Sequence, residues 1–154
     1  MTEFGPARRE ELPQLVALLG ILFSQESEFA PDPAKQARAL EKILSDENIG
    51  RLYVARDSGK VVAMAALLYT ISTAEGGLAA LLEDVIVLPR YRERGIGTTL
   101  LQHVLGEATK QGVLRVTLLT DGQNKRAQRL YSKLGFAPST MTPMRLRWRR
   151  SSAE

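Results

Sequence analysis

Tyr91 to Leu101 read YRERGIGTTLL, with Arg92 and Arg94 just ahead of two close glycines, Gly95 and Gly97, and with Arg90 immediately upstream. Glycines without a Cβ let backbone N–H groups approach a ligand. The apolar, helix-like run that follows adds the positive end of a helix dipole, so a phosphate-sized anion is the expected guest. The plain alternative is a glycine-rich turn with solvated arginines. Two familiar phosphate motifs fit poorly. A P-loop needs a lysine after the second glycine, where Thr98 stands, and the dinucleotide fingerprint needs a third glycine, where Leu100 stands. The other groups able to do chemistry are the adjacent carboxyls of Glu83 and Asp84, Tyr131, and the single histidine, His103. The absence of cysteine excludes disulfides, thiolate metal sites and a cysteine nucleophile.

Hydrophobic periodicity gives the elements that must position these groups. From about Glu10 to Phe23, Leu12, Leu15, Val16, Leu19 and Leu22 recur at helical steps. Asp32 before Pro33 predicts the N-cap of a second helix running through Ala37, Leu40 and Ile43 to about Leu44. From Arg51, RLYVAR, the turn DSGK and VVAMAALLYTIS predict a hairpin. LAALLEDVIVL is apolar on both sides of Glu83 and Asp84, which predicts a central strand covered on both faces and stopped by Pro89. After the glycines, Leu100, Leu101, Val104, Leu105 and Ala108 form a helical stripe that ends at Gly112, and His103 falls off it, toward the surface. LRVTLLT predicts a strand. Ala127, Leu130, Tyr131 and Leu134 predict a helix ending at Gly135, and Phe136 with MTPMRLRW one or two closing strands. The tail from Arg149 to Glu154 is expected to fray. The order helix, helix, strands, helix, strand, helix, strand is that of a mixed α/β layer with helices on a central sheet.

A chain of 154 residues with 44% hydrophobic and 25% charged side chains suits one domain, residues 1–154, with a real core. The net charge of +4 is compatible with nucleic acid, a membrane surface or an anionic small ligand. Nucleic acid is disfavoured because the arginines concentrate at one phosphate-sized site and the tail. The run from Leu15 to Phe23 is too short for a membrane span, and the N-terminal acids Glu3, Glu10 and Glu11 do not suit a signal peptide. The chain therefore reads as cytoplasmic, with no membrane partner.

DVIVLPRYRERGIGTTLL, together with NKRAQRLYSKLGF from Asn124 to Phe136, resembles the two signature motifs of the GCN5-related N-acetyltransferases, in order and spacing. The resemblance covers Leu81 to Phe136 well and the preceding hairpin plausibly, and it says little about residues 1–50. It implies an α+β fold: a central mixed, mostly antiparallel twisted sheet flanked by helices, with strands splayed at the acetyl-CoA site. It places the pyrophosphate of acetyl-CoA, a co-substrate, at the backbone amides of Arg92, Glu93, Arg94, Gly95, Ile96, Gly97 and Thr98, and it implies no metal. It sets the pantetheine arm and the acetyl carbonyl against Val85, Ile86 and Val87. It puts Asn124 near the pantetheine arm, although a helix N-cap is also reason enough for that residue. Tyr131 matches the position where the family often keeps a general acid, and it also reads as a core tyrosine of the apolar stripe. Glu83 is the candidate base, and it reads equally as a salt-bridged strand residue. Period two places it on the same face as Val85, with Asp84 pointing the other way as a partner or cap.

The family implies direct attack of an amine on the thioester, so the expected activity is acetyl transfer to a primary amine of a small molecule or a protein. Glu26, Glu28 and Asp32 in one loop, with Glu75 in another, would favour a cationic acceptor if both loops border the acceptor site, although solvated loop carboxylates are the better-supported reading of them. A module that binds acetyl-CoA without turning it over is the alternative. Dimers are common in the resembled family, and MRLRW offers a strand for a homodimer.

Overall fold

The computed structural model describes residues 1–26 and 28–148, so the expectation for the tail from Arg149 lies outside the described residues. The chain divides into two compact units, Met1–Asp121 and Gly122 onward. The first unit holds strands β1 (Thr2–Pro6), β2 (Gly50–Asp57), β3 (Lys60–Ser72), β4 (Gly77–Val87) and β5 (Val116–Leu118), with helices α1 (Leu12–Gln25), α2 (Pro33–Ser45) and α3 (Ile96–Lys110). The second holds helix α4 (Lys125–Lys133).

The five strands form one sheet in the order β1-β2-β3-β4-β5, antiparallel except for the β4–β5 pair. Ser58 and Gly59 join β2 to β3 with φ of 50° and 82°, the paired positive values that match a tight turn to the twist of a hairpin. On one face of the sheet, Leu15, Leu18 and Leu19 of α1 and Leu40 of α2 bury against Leu52, Val54, Met64, Ala66 and Ile86. On the other, Leu100, Leu101, Val104 and Ala108 of α3 are buried, as are Tyr53, Ala55, Ala63, Ala65 and Leu67 of the strands beneath them. Gln111, at the end of α3, accepts from the Tyr69 hydroxyl and donates to the Tyr53 hydroxyl at 3.2 Å, tying the helix to β2 and β3.

Three features differ from the sequence expectation. Thr2–Pro6 forms an edge strand on β2, which so short a segment before a proline did not announce. β5 is limited to three residues of LRVTLLT. Among the described residues, 136–148 form no strand. Pro138 and Pro143 remove ladder donors from that segment, and Met141 N–H turns back to the Ser139 hydroxyl at 3.1 Å.

The buried charge of the first unit is an ion pair. Arg56 on β2 is 2% exposed and Glu11, just ahead of α1, is 4% exposed. Arg56 Nε and Nη2 donate to the two Glu11 carboxylate oxygens at 2.6 and 2.8 Å, and Nη2 also donates to Pro6 C=O at 2.8 Å. Arg8 N–H donates to Glu11 at 2.7 Å. Burial by itself raises the Glu11 pKa, but the hydrogen bonds from Arg56 and the Arg8 amide outweigh it and hold the carboxyl below its ordinary 4.5. Because the folded pKa is depressed, the contribution is fully present above that value and is lost as pH falls through the folded pKa. Glu11→Ala strands a buried guanidinium and is expected to cost about 3–5 kcal/mol in urea unfolding at pH 7. A loss under 1 kcal/mol would show that the pair contributes little.

Candidate functional site

Strand β4 is paired unequally along its two edges. β3 runs beside it from Gly77 to Val87, whereas β5 pairs only with Ala80, Leu81 and Leu82. From Glu83 onward the β5 side of the strand has left the ladder. A β-bulge sits at the same place: Ala66 pairs with Glu83 and Met64 with Ile86, so Asp84 and Val85 together oppose the single residue Ala65. Asp84 takes up the extra length in a left-handed conformation, φ 55°, which is uncommon for a residue with a side chain and more tolerable for Asp than for most.

The bulge corrects the face assignment made by period two. Register now couples Glu83 with Ile86, on the face packed by α1 and α2, and the alternation that would join Glu83 to Val85 is interrupted between them. Glu83 is exposed, whereas Asp84 and Val85 are half-buried. Burial, then the charges of Glu83 and Glu26, push the Asp84 carboxyl up to about 6. Glu26, which follows the last residue of α1, is also pushed up, by burial first and then by Glu28, Asp121 and Glu83. Four carboxylates around Glu26 thus come from the α1–α2 loop, the β4 bulge and the end of the β5 segment. Asp121 was invisible to sequence reasoning because only the topology brings it there. Asp32 is not part of this group. It accepts from Lys35 N–H at 3.2 Å as the N-cap of α2, and its other oxygen lies 3.9 Å from Lys35 Nζ.

Beyond Val87 the chain turns tightly. Tyr91 N–H donates to Leu88 C=O at 2.8 Å and Arg92 N–H to Pro89 C=O at 3.3 Å, so the amide of Arg92 is engaged inside the turn. Glu93 and Gly95 both have positive φ, 65° and 79°. Gly95 caps α3, and the first helical bond is Thr99 N–H to its carbonyl at 3.0 Å. The amides of Ile96, Gly97 and Thr98 form the first turn, where a helix has no acceptor of its own to offer. The Ile96 side chain is 8% exposed and anchors this end of the helix in the core. Arg94 lies over the Tyr91 ring, 5.1 Å from its centroid, while Arg92 Nε donates to Val87 C=O at 3.0 Å. A helix N-terminus, a left-handed glycine and arginines therefore meet at the end of a strand whose outer edge is open. Such an arrangement can take an anion at the loop and an extended, carbonyl-bearing chain along the strand.

His103, expected at the surface, is half-buried, because it packs edge-on against Tyr53 with ring centroids 5.8 Å apart. In the second unit, Asn124 caps α4 by accepting from Ala127 N–H at 3.1 Å. Tyr131 is half-buried and stacks edge-on against Phe136 at 5.9 Å, and burial raises its phenol pKa above 10.0. No helix among the described residues is long and apolar enough to cross a membrane.

The sequence model of the Acetyltransferase (GNAT) family matches residues 15–136. The uncharacterized N-acetyltransferase YhfO of Bacillus subtilis is 27% identical over 126 residues, 80% of this chain and 85% of that protein. The thialysine N-epsilon-acetyltransferase of Mus musculus is 36% identical over 77 residues, a match that spans 50% of this chain and 45% of the mouse protein. A crystal structure from Clostridium acetobutylicum, named as a predicted acetyltransferase with acetyl-CoA, superposes with a TM-score of 0.78 at 19% identity over 95% of this chain and 96% of that one. The open β4 edge, the arginine turn at the α3 N-terminus and a family match over most of its length place this chain in the Acetyltransferase (GNAT) family, as an acyltransferase that depends on acetyl-CoA.

Proposed function

We propose that the chain transfers the acetyl group of acetyl-CoA directly to a primary amine of a small cationic acceptor. The observation that carries the reading is continuity. The open β4 edge runs directly into the turn from Leu88 to Gly95 that leads to the α3 N-terminus, which suits a donor with a pyrophosphate at one end of an amide-bearing arm. In this reading the first-turn amides of Ile96, Gly97 and Thr98, with the backbone of Glu93, Arg94 and Gly95, hold the pyrophosphate. Val85, Ile86 and Val87 take the pantetheine arm and the thioester carbonyl, where one backbone donor favours the developing oxyanion. Asn124, already an N-cap, is assigned to the arm from its place in the resembled motif.

The proton balance sets the remaining roles. An acceptor that enters as an ammonium ion gives up two protons overall: one ends on the CoA sulfur and the other in solvent. Glu83, directly or through water, takes a proton so that the nitrogen lone pair can attack the carbonyl as the carbon–sulfur bond breaks. Tyr131 is assigned the proton to sulfur from its place in the resembled motif. A phenol raised above its ordinary pKa stays protonated at neutral pH, which is the state an acid must be in. The carboxylates around Glu26 and the Asp84–Glu83 bulge repel one another, and a cationic amine relieves that repulsion, whereas an acidic substrate adds to it. The name of the mouse relative, a thialysine acetyltransferase, points to the same chemistry. Family membership and N-acetyltransferase relatives favour turnover over a silent acetyl-CoA-binding module.

Incubation with acetyl-CoA and a panel of diamines, lysine-like amines, neutral amines and N-terminal peptides, read by thiol release, tests the reading. Release is expected fastest with acceptors carrying a second positive charge, and silence across the whole panel with acetyl-CoA bound would favour the binding module. Gly97→Asp sets a negative charge in the first turn of α3, where it suits the helix dipole but opposes phosphate. Calorimetry is expected to show CoA affinity reduced about a hundredfold with the melting temperature retained, and an unchanged affinity would remove the assigned site. Tyr131→Phe keeps the ring against Phe136. It is expected to lower kcat about a hundredfold with KM for acetyl-CoA within about threefold. An unaffected rate across the pH range would make Tyr131 a packing residue.

Asp84 gives a pH prediction. Its folded pKa is raised, so the fold favours the protonated carboxyl and stability falls as pH climbs from about 3.8 through about 6. Asn keeps the left-handed preference without the charge. Asp84→Asn is therefore expected to be more stable than the wild type at pH 8, by about 1–3 kcal/mol in urea unfolding, with the gain vanishing by pH 4. The same difference at both pH values would rule out the buried charge as its cause.

A further inference from the structure

We propose that Arg92 is a positioning residue that sets the open edge of β4 for acetyl transfer, and not simply a positive charge for phosphate. The inference rests on the reading that this edge holds the thioester arm. Leu88 N–H donates to Val62 C=O at 2.8 Å, and the register places Ala63 opposite Val87. In an antiparallel ladder, hydrogen-bonded pairs alternate with pairs whose polar groups face outward. Leu88 and Val62 form a bonded pair, so the N–H and C=O of Val87 point away from β3, toward the edge that β5 does not reach.

The carbonyl on that edge is already taken, by Arg92 Nε at 3.0 Å. At Val87 the edge therefore offers a donor while its acceptor is capped, which suits a ligand carbonyl and disfavours a ligand N–H. The same side chain springs from the anion-binding turn, whose backbone is held by the bonds from Tyr91 to Leu88 and from Arg92 to Pro89. One half-buried guanidinium thus joins the loop that grips the donor's phosphate end to the strand edge that orients its reactive end. Arg94 is instead stacked on the Tyr91 ring. Loss of the Arg92 bond would leave the Val87 carbonyl to water or to a competing ligand donor and would loosen the last residues of the strand.

Two variants separate this role from simple charge. Arg92→Lys keeps the charge and loses the planar Nε donor, whereas Arg92→Leu removes both. In the chain without acetyl-CoA, amide hydrogen exchange followed by NMR is expected to be about tenfold faster at Leu88 in both variants. With acetyl-CoA and an active amine, Arg92→Lys is expected to lose about tenfold in kcat while KM for acetyl-CoA stays within about threefold. Unchanged Leu88 exchange in Arg92→Lys would overturn the proposal, as would wild-type kcat in Arg92→Lys alongside a raised KM in Arg92→Leu. Should Arg92→Leu fail to fold, Arg92→Lys decides alone. If the wild type acetylates no amine, the exchange result still reports on the Arg92 tie, so the failure of the proposed function is read separately.

Discussion

The unequal pairing of β4 is the constraint on which the site depends. β3 holds the whole length of the strand, and β5 releases it after Leu82, so the backbone from Glu83 to Val87 is rigid on one side and open on the other. An open strand edge is costly unless its polar groups find partners, and water or a bound chain must supply them. The bulge at Asp84 makes the opening more than an early end to β5, because the extra residue turns the strand where the second neighbour drops away. The core explains how the fold tolerates this. Leu82 and Ile86, on either side of the bulge, are buried beneath opposite helical layers, and the register fixes both.

Charge is divided along the same strand. Upstream lie Glu83 and Asp84, with Glu26, Glu28 and Asp121 near them; downstream lie Arg90, Arg92, Arg94 and the positive end of α3. A donor with phosphates at one end and an acceptor that arrives as a cation would be drawn to opposite ends of the strand. The thioester is then left between them, beside the uncharged residues Val85 to Val87. The net charge of +4 hides this division, because it sums over the whole chain.

Much of the frame was legible because it is written in periodicity. The stripe Leu100, Leu101, Val104 and Ala108 is buried as its spacing predicts, Asp32 caps α2, and the DSGK turn has the paired positive φ values of a hairpin. Gly95 could be read as a turn residue for the same reason, since its φ of 79° is where a Cβ is unwelcome. The remainder depended on partners far away in sequence. Period two holds only while a strand is regular, so the bulge at Asp84 moved Glu83 away from its expected companion Val85 without leaving a mark in the sequence. His103 looked like a surface residue because its helix stripe was complete without it, yet Tyr53 from β2 supplies a ring for it to pack against. Asp121 joined the acidic group through the sheet order alone.

An open strand edge is also an invitation to another chain, since unpaired N–H and C=O groups template strand addition. The features that serve the site also guard against this. The bulge breaks the flat ladder that a foreign strand would need, and the charges of Glu83 and Asp84 flank it. Arg92 occupies the outward carbonyl of Val87, so an incoming strand would find its donor unanswered there. The donor arm suffers less from this than a strand does, because it needs one or two bonds where a strand needs a continuous series. Under the proposed function, selectivity for a short amide-bearing chain over a polypeptide would follow from how few edge positions remain open, with Arg92 occupying the carbonyl at the α3 end of the strand.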